Sequence, residues 1–250
     1  MIISHRHRFI FIKTRKTGGT SVEKALAPLC GPEDVLTPDH LHEGERDDLA
    51  SAARNWQGRF NPLRELAGAR RPIDVVRIAR DFARRPRFYN HMRASSVRAR
   101  IDPAIWNGYF KFCVERNPWH KMISFYYWNH RGRQDRAPSF RDYVLDRSGR
   151  TVDQHYATDW DRYAVGDRVI VDKVCRFENL EAEIRAALGE AGVPAALAAQ
   201  LELPRLKGHL RPAADGVRYD AETAACVAQV FRREIAAFGY VIPPDLVAAS

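Results

Sequence analysis

Residues 8 to 26, RFIFIKTRKTGGTSVEKAL, constrain the fold of this chain more than any other stretch. Residues 9 to 12 form an unbroken apolar run, too short for a helix and suited to a strand buried in a parallel sheet. Lys16-Thr17-Gly18-Gly19-Thr20-Ser21 follows, and residues 22 to 26 read as the first turns of a helix. Two glycines between a strand and a helix allow a tight turn and close backbone approach to a ligand. The amide groups at a new helix start, the hydroxyls of Thr17, Thr20 and Ser21, and the charge of Lys16 all favour an anion there. The stretch is not a Walker A loop, because Lys16 precedes both glycines instead of following the second. An ordinary strand-to-helix turn carries the same Gly-Gly-Thr-Ser composition. The anion cradle is the reading that also uses Lys16.

The 250 residues suffice for one α/β domain over positions 1 to 250, and nothing in them forces a second. A 45% hydrophobic content excludes wholesale disorder. Forty Lys and Arg against 31 Asp and Glu give +9, which suits an anionic ligand, whether nucleotide, acidic glycan or nucleic acid. Cys30, Cys113, Cys175 and Cys226 make no C-x-x-C pair, so neither a zinc site nor a disulfide framework is indicated. Free thiols in a reducing compartment are expected. The N-terminal apolar run is four residues long, unlike a signal peptide, and no stretch has the apolar length of a membrane span. A cytoplasmic location is expected.

Further along, residues 30 to 42 read as a loop, and residues 45 to 87 are helical in composition and rich in arginine. Within them IDVVRIARDF puts Ile73, Val76, Ile78 and Phe82 close to one helical face. Arg77, Arg80 and Asp81 fall mostly elsewhere, as a solvated face. Residues 109 to 114, YFKFCV, have strand composition, and Glu115-Arg116-Asn117-Pro118-Trp119 breaks the run. Pro118 suits the first position of the helix that follows, to about Asn129. Residues 131 to 167 read as irregular and polar, with short helical pieces such as residues 140 to 145. Strand material returns at 169 to 177, a helix at 178 to 188, a basic loop at 204 to 219 and an amphipathic helix at 221 to 238. Strands alternating with helices predict a central parallel sheet flanked by helices.

Four segments together resemble the sulfotransferases that use 3′-phosphoadenosine 5′-phosphosulfate (PAPS), the glycan-modifying branch above all. FIKTRKTGGTS is similar to the family's 5′-phosphosulfate loop, with Arg15 where proline is usual. FKFCVERNPWHKMISFYYW resembles the 3′-phosphate motif; Arg116 and Ser124 fall on its arginine and serine, and His120-Lys121 replaces Asp-Arg. CRFENLE, from Cys175, and the ending FGY of the last helix are similar to the remaining two segments. The resemblance implies a P-loop-like three-layer fold, PAPS as co-substrate with no metal, and a hydroxyl acceptor, a glycan or small molecule.

On that resemblance the cofactor set is Arg15, Lys16, Thr17, Gly18, Gly19, Thr20, Ser21, Arg116 and Ser124. Lys207 and Arg211 belong to a basic loop closing over the nucleotide. An arginine fork suits a phosphate monoester, and Ser124 adds a hydroxyl. Lys16 serves catalysis by neutralising the leaving phosphate oxygen. His91-Met92-Arg93-Ala94 is similar to an H-x-x-A element whose histidine is the base, a role an imidazole can fill near neutral pH. His209 and Glu115 are the rivals. Trp119 and Phe177 read as packing residues.

Two other readings stay open. One is a nucleotide or small-molecule kinase with a degenerate phosphate loop; the absent Walker lysine and a missing magnesium-binding Asp after a strand weigh against it. The other is a basic polyanion-binding module built on the arginine-rich residues 59 to 87. No helix-turn-helix, zinc or RNP-like pattern supports that one, so no nucleic-acid partner is expected.

Overall fold

The apolar run Phe9–Ile12 is a strand with all four side chains buried, and it forms the middle of a five-stranded sheet. The computed structural model describes residues 1–38, 53–132, 134–145, 157–204 and 216–248. Within them the strands are β1 (Ile2–Ser4), β2 (Phe9–Ile12), β3 (Val35–Leu36), β4 (Phe110–Glu115), β5 (Ala164–Val165), β6 (Arg168–Val169) and β7 (Lys173–Arg176). The large sheet has the order β3-β1-β2-β4-β7, and β5 with β6 forms a separate ribbon. β2, β4 and β7 are parallel, whereas β1 is antiparallel to both of its neighbours. Four strands therefore run one way, as the predicted parallel sheet requires, and β1 alone makes the sheet mixed. The cause is the short link between β1 and β2, which can only return the chain as a hairpin.

The helices among the described residues are α1 (Gly19–Leu26), α2 (Pro62–Leu66), α3 (Pro72–Arg84), α4 (Ala94–Arg100), α5 (Pro103–Gly108) and α6 (Pro118–Asn129). They continue as α7 (Phe140–Leu145), α8 (Trp160–Tyr163), α9 (Leu180–Glu190), α10 (Ala195–Ala199), α11 (Ala221–Val230) and α12 (Arg232–Phe238). None is long and apolar enough to cross a membrane. The expected single last helix is interrupted at Phe231, whose φ of −100° and ψ of 23° end α11 and begin α12. Residues in the stretch read as a loop at 30 to 42 supply β3; within 131 to 167 the helical piece expected at 140 to 145 forms as α7, and the stretch also supplies α8 and β5. Pro118 takes the first turn of α6 as expected. All four cysteines are free, Cys113 and Cys175 being buried.

Alternation along β2 explains its continuous hydrophobicity. Ile10 and Ile12 enter a core with Phe88, Met92, Val97 and Tyr163. Phe9 and Phe11 enter a second core with Val22, Leu26, Ile184 and Leu188. Both faces of the sheet are thus covered, so a strand at its centre has no polar face to show. A third cluster, with Trp119, Phe125, Tyr143, Tyr219 and Phe231, joins α6, α7 and α11.

The helix expected within residues 73 to 82 forms, and Ile78 turns inward as expected, but the other three residues expected beside it do not. Along α3 the residues at helical spacing that turn inward are Asp74, Arg77, Ile78 and Asp81, while Ile73, Val75, Val76 and Phe82 are exposed. The physical reason is Arg100 on α4, whose side chain has no exposed surface. Its Nε bonds Glu65 Oε2 at 2.6 Å, and its second terminal nitrogen bonds Asp81 Oδ2 at 2.9 Å. The first terminal nitrogen donates to the carbonyls of Pro86 and Arg87. Arg77 adds bonds to Glu65 at 3.0 Å and Tyr89 at 2.7 Å, and Arg93 holds Asp74 at 3.0 Å. A buried guanidinium must be matched by carboxylates, and Glu65 of α2 together with Asp81 in the charged stripe of α3 supplies them here.

This arrangement yields an expected contrast in equilibrium unfolding. Arg100→Met leaves buried carboxylates without their main cation and should lower stability by about 3–5 kcal/mol. Val76→Lys, on a side chain 63% exposed, should change it by less than about 0.5 kcal/mol. The reverse ranking would show that the apolar face of α3 packs inward after all.

Candidate functional site

Three parallel strands deliver their C-terminal ends to one edge of the sheet, and each is followed by a loop and a helix: β2 to α1, β4 to α6 and β7 to α9. Crevices of this kind, beyond the carboxyl ends of neighbouring parallel strands, are where open α/β sheets bind ligands. The predicted site residues that lie in the described chain are placed at this edge or beside it. Lys207, Arg211 and His209 lie outside the described residues.

The loop after β2 is fixed from within. Lys13 Nζ bonds Glu23 Oε2 of α1 at 2.6 Å, both side chains being buried. Thr14 Oγ1 contacts Thr17 Oγ1 at 2.8 Å and donates to the carbonyl of Val114 in β4. The Thr17 hydroxyl therefore braces the loop, and Ser21 is also buried, whereas Thr20 is half-buried. Lys16 (φ 59°) and Gly18 (φ 73°) are both left-handed, an alternation that turns backbone N–H groups towards one concave side. Gly18 precedes Gly19, the first residue of α1, and carries no side-chain cap. As at any helix start, the first-turn N–H groups of α1 lie outside the helix's own hydrogen-bond ladder.

The glycines meet protein at close range. A Cβ on Gly18 would lie 3.0 Å from Leu180 Cδ2 and 3.1 Å from Phe177 Cε2, and one on Gly19 would lie 2.7 Å from Lys13 Cγ. Phe177, expected as a packing residue, also lies under Arg116, whose guanidinium carbon is 4.2 Å from the ring centre. Arg116 donates to the carbonyl of Lys16 at 3.3 Å, so the first two motifs touch directly. Asn117 reaches the third segment and the residue just after the fourth, and Arg176 of the third donates to the Phe238 carbonyl of the fourth. The Asn117 N–H donates to Glu178 Oε1 at 2.8 Å, its side-chain amide donates to the carbonyl of Val241 at 2.8 Å, and its Oδ1 caps α6 at Trp119 N. All four segments singled out in the sequence thus converge.

The face of α6 nearest the loop carries residues that sequence reading passed over. Lys16 Nζ lies 4.2 Å from the centre of the Trp128 ring, and the guanidinium of Arg131 lies 3.8 Å from the same centre. Ser124 is one turn before Trp128 and half-buried, so it shares the side of α6 that meets Lys16. Lys16, Arg131 and Arg116 surround the loop with positive charge.

Beneath them lies a buried ion network around Asp159. Its carboxylate accepts from the Arg15 N–H at 2.8 Å, Arg15 Nε at 2.9 Å and Arg162 Nε at 2.7 Å, and pairs with Lys121 Nζ at 2.9 Å. Lys121 Nζ also bonds Glu115 Oε1 at 2.7 Å, and Tyr163 donates to Glu115 Oε2 at 3.1 Å. Arg15, expected as an anion ligand, is buried against Asp159 and anchors the loop from behind. Burial alone would raise the Asp159 carboxyl, but Lys121, Arg15 and Arg162 outweigh it and hold it well below the usual carboxylate range. Burial pushes Glu115 the other way, upward, against the opposing pull of Lys121. Burial would depress Lys121, yet its two carboxylates hold it above the ordinary ammonium value. Glu115 is thus committed to Lys121, Tyr163 and the Arg116 N–H at 2.9 Å, which weakens it as a rival base.

His91 borders this network. Its Nδ1 lies 3.2 Å from the carbonyl oxygen of Lys13, and its own carbonyl accepts from Arg162. A carbonyl can only accept, so Nδ1 carries the proton and Nε2 keeps the lone pair. Burial, with Lys13 and Arg162 adding to it, holds the imidazole well below its ordinary pKa. His91 is therefore neutral at pH 7, with its basic nitrogen set by the loop backbone. Its φ of 56° is left-handed, a conformation that non-glycine residues hold only where surroundings enforce it.

The chain is 33% identical over 103 residues to an uncharacterized protein of Archaeoglobus fulgidus, a match covering 41% of this chain and 84% of that protein. The two belong to one family. No family model matches the chain, and no solved structure matches it. The kinship carries no activity with it, so chemistry must be argued from the site.

Asp159 gives the site its stability test. Its carboxyl titrates lower in the folded than in the unfolded protein, so its contribution is present above the unfolded value of about 3.9 and is lost as pH falls. Asp159→Asn should cost about 3–5 kcal/mol at pH 7 by leaving buried Arg15 and Lys121 and half-buried Arg162 short of an anion. The gap to the parent should narrow below about pH 4. Denaturant titrations at both pH values read this directly, and a gap independent of pH would remove Asp159 as the organising anion.

Proposed function

We propose that the protein is a PAPS-dependent sulfotransferase, moving a sulfuryl group by in-line transfer to a hydroxyl of a carbohydrate acceptor on a P-loop-like three-layer scaffold. One observation carries the reading: a single loop, residues 13 to 18, is held by both candidate partners. Arg116 reaches its Lys16 carbonyl and His91 reaches its Lys13 carbonyl. A phosphate-binding arginine, a phosphate cradle and a neutral base on one loop are the parts that a transfer between a nucleotide and a hydroxyl requires.

The donor set fits a nucleotide bearing both a 5′-phosphosulfate and a 3′-phosphate. The N–H groups at the start of α1 and Lys16 suit the first, and the Arg116 fork with Ser124 suits the second. PAPS supplies the activated sulfuryl group. His91 Nε2 accepts the proton of the acceptor hydroxyl as its oxygen bonds to sulfur and the bond from sulfur to the bridging phosphate oxygen breaks. The Lys16 ammonium neutralises the charge that grows on that oxygen. Trp128 keeps the ammonium at the mouth of the loop. Arg15, with its charge matched by Asp159, steadies the loop backbone through both its side chain and its N–H.

Arg116→Ala is expected to weaken binding of 3′-phosphoadenosine 5′-phosphate by about 2–4 kcal/mol while sparing adenosine 5′-phosphosulfate, which lacks the 3′-phosphate. Calorimetry that finds equal losses for both nucleotides would reduce Arg116 to a loop brace.

Because His91 is held neutral, turnover should persist below pH 6.5 and fall only at more acidic values, as the imidazole takes up a proton. His91→Ala should lower turnover about 100- to 10,000-fold, remove that acidic limb and leave affinity for 3′-phosphoadenosine 5′-phosphate unchanged. Near-normal turnover in a variant that melts like the parent would exclude His91 as the base.

A further inference from the structure

The largely charged inner face of α3 leaves an unusual outer surface. Between residues 59 and 85 the only acidic side chains are Glu65, Asp74 and Asp81, and all three are buried. They face Arg77, Arg93 and Arg100, three cations for three anions. Outward remain Arg59, Arg64, Arg70, Arg71, Arg80, Arg84 and Arg85, all exposed. Of these, Arg80 also bonds Asp81 Oδ1 from the rim, at 3.1 and 3.3 Å, and Arg71 approaches Asp74 at 3.7 Å. Interleaved with them are Leu63 at 71%, Ile73 at 62%, Val76 at 63% and Phe82 at 51% exposure. α2 and α3 pack together, and the Phe82 ring meets that of buried Phe60 edge-on. The outer surface is therefore cationic and apolar at once, with no exposed carboxylate in the segment.

We propose that the outer face of α2 and α3 docks on an anionic lipid bilayer. A helix with branched aliphatic and phenyl side chains on its outer face, rimmed by arginines, matches the layered chemistry of a membrane interface. Guanidinium groups meet lipid phosphates while the apolar tips enter the boundary of the acyl region. A soluble acidic polymer would use the arginines and gain nothing from Ile73, Val76 and Phe82, so the combined pattern favours lipid. The surface lies outside the loop edge of the sheet and needs none of the residues assigned to sulfuryl transfer. Membrane association therefore stands or falls apart from that reading.

Sedimentation with vesicles tests the proposal, using phosphatidylcholine alone or mixed equally with phosphatidylglycerol. The expected result is binding to the anionic vesicles only, weakened by salt. Val76→Ser/Phe82→Ser should reduce it at least tenfold, and Arg64→Gln/Arg84→Gln about fivefold for each arginine. All four positions are exposed, and circular dichroism checks that the fold is kept. Equal binding to both vesicles, or none, would overturn the proposal. Undiminished binding of the Val76→Ser/Phe82→Ser variant would do so too. So would a parent protein that sediments as a dimer dissociated by that variant, because a second copy would then cover the face. Binding to soluble polyglutamate in place of vesicles, lost with the arginines but indifferent to Val76 and Phe82, would equally reject a lipid surface.

Discussion

The contact on which the candidate site depends is the buried carboxylate of Asp159. It holds Arg15 by side chain and backbone together, and through Lys121 it is linked to Glu115 at the end of β4. Two neighbouring strand ends are thereby locked to each other by charge at the point where apolar packing stops. Desolvating so many charges is expensive, and only complete pairing makes it tolerable. The arrangement fixes geometry more than it adds stability: the loop after β2 cannot shift without breaking an ion pair in the interior. Pre-set backbone positions are what an anion cradle requires.

The same logic explains how motifs far apart in sequence act as one unit. Asn117 binds both Glu178 and the Val241 carbonyl, and Phe177 fills the space between Gly18 and Arg116. The glycines of the loop are therefore required twice over. They give the backbone its left-handed turn at Gly18, and they leave room for Phe177, on which Arg116 rests, and for the Lys13 side chain itself.

Much of this was legible in the sequence, and what was not has identifiable causes. The strand at residues 9 to 12, the strand breaking at Arg116 and the proline-led helix after it rest on local rules, and local rules suffice where burial is uniform. Asp159 was not legible, because its partner Arg15 is 144 residues away and a lone aspartate in a polar stretch carries no pattern. Trp128 and Arg131 were invisible for a related reason: their meeting with Lys16 depends on where α6 lies relative to the loop. The face of α3 was misread because amphipathic periodicity assumes that apolar residues turn inward. Arg100, buried on another helix, reverses that sign.

The reversal at α3 also decides between two rival arrangements of the same helix. Rolled about its axis, α3 would bury Ile73, Val75, Val76 and Phe82, with a gain of about 1.5–3 kcal/mol for each large side chain. That alternative would strand Arg100 in the interior without Asp81, leaving it only Glu65 of α2, and carry Asp74 away from Arg93. Ion pairs with strict geometry thus veto a state that hydrophobicity alone would favour. The segment is frustrated by design, and the greasy outer surface persists because the charges forbid its retreat.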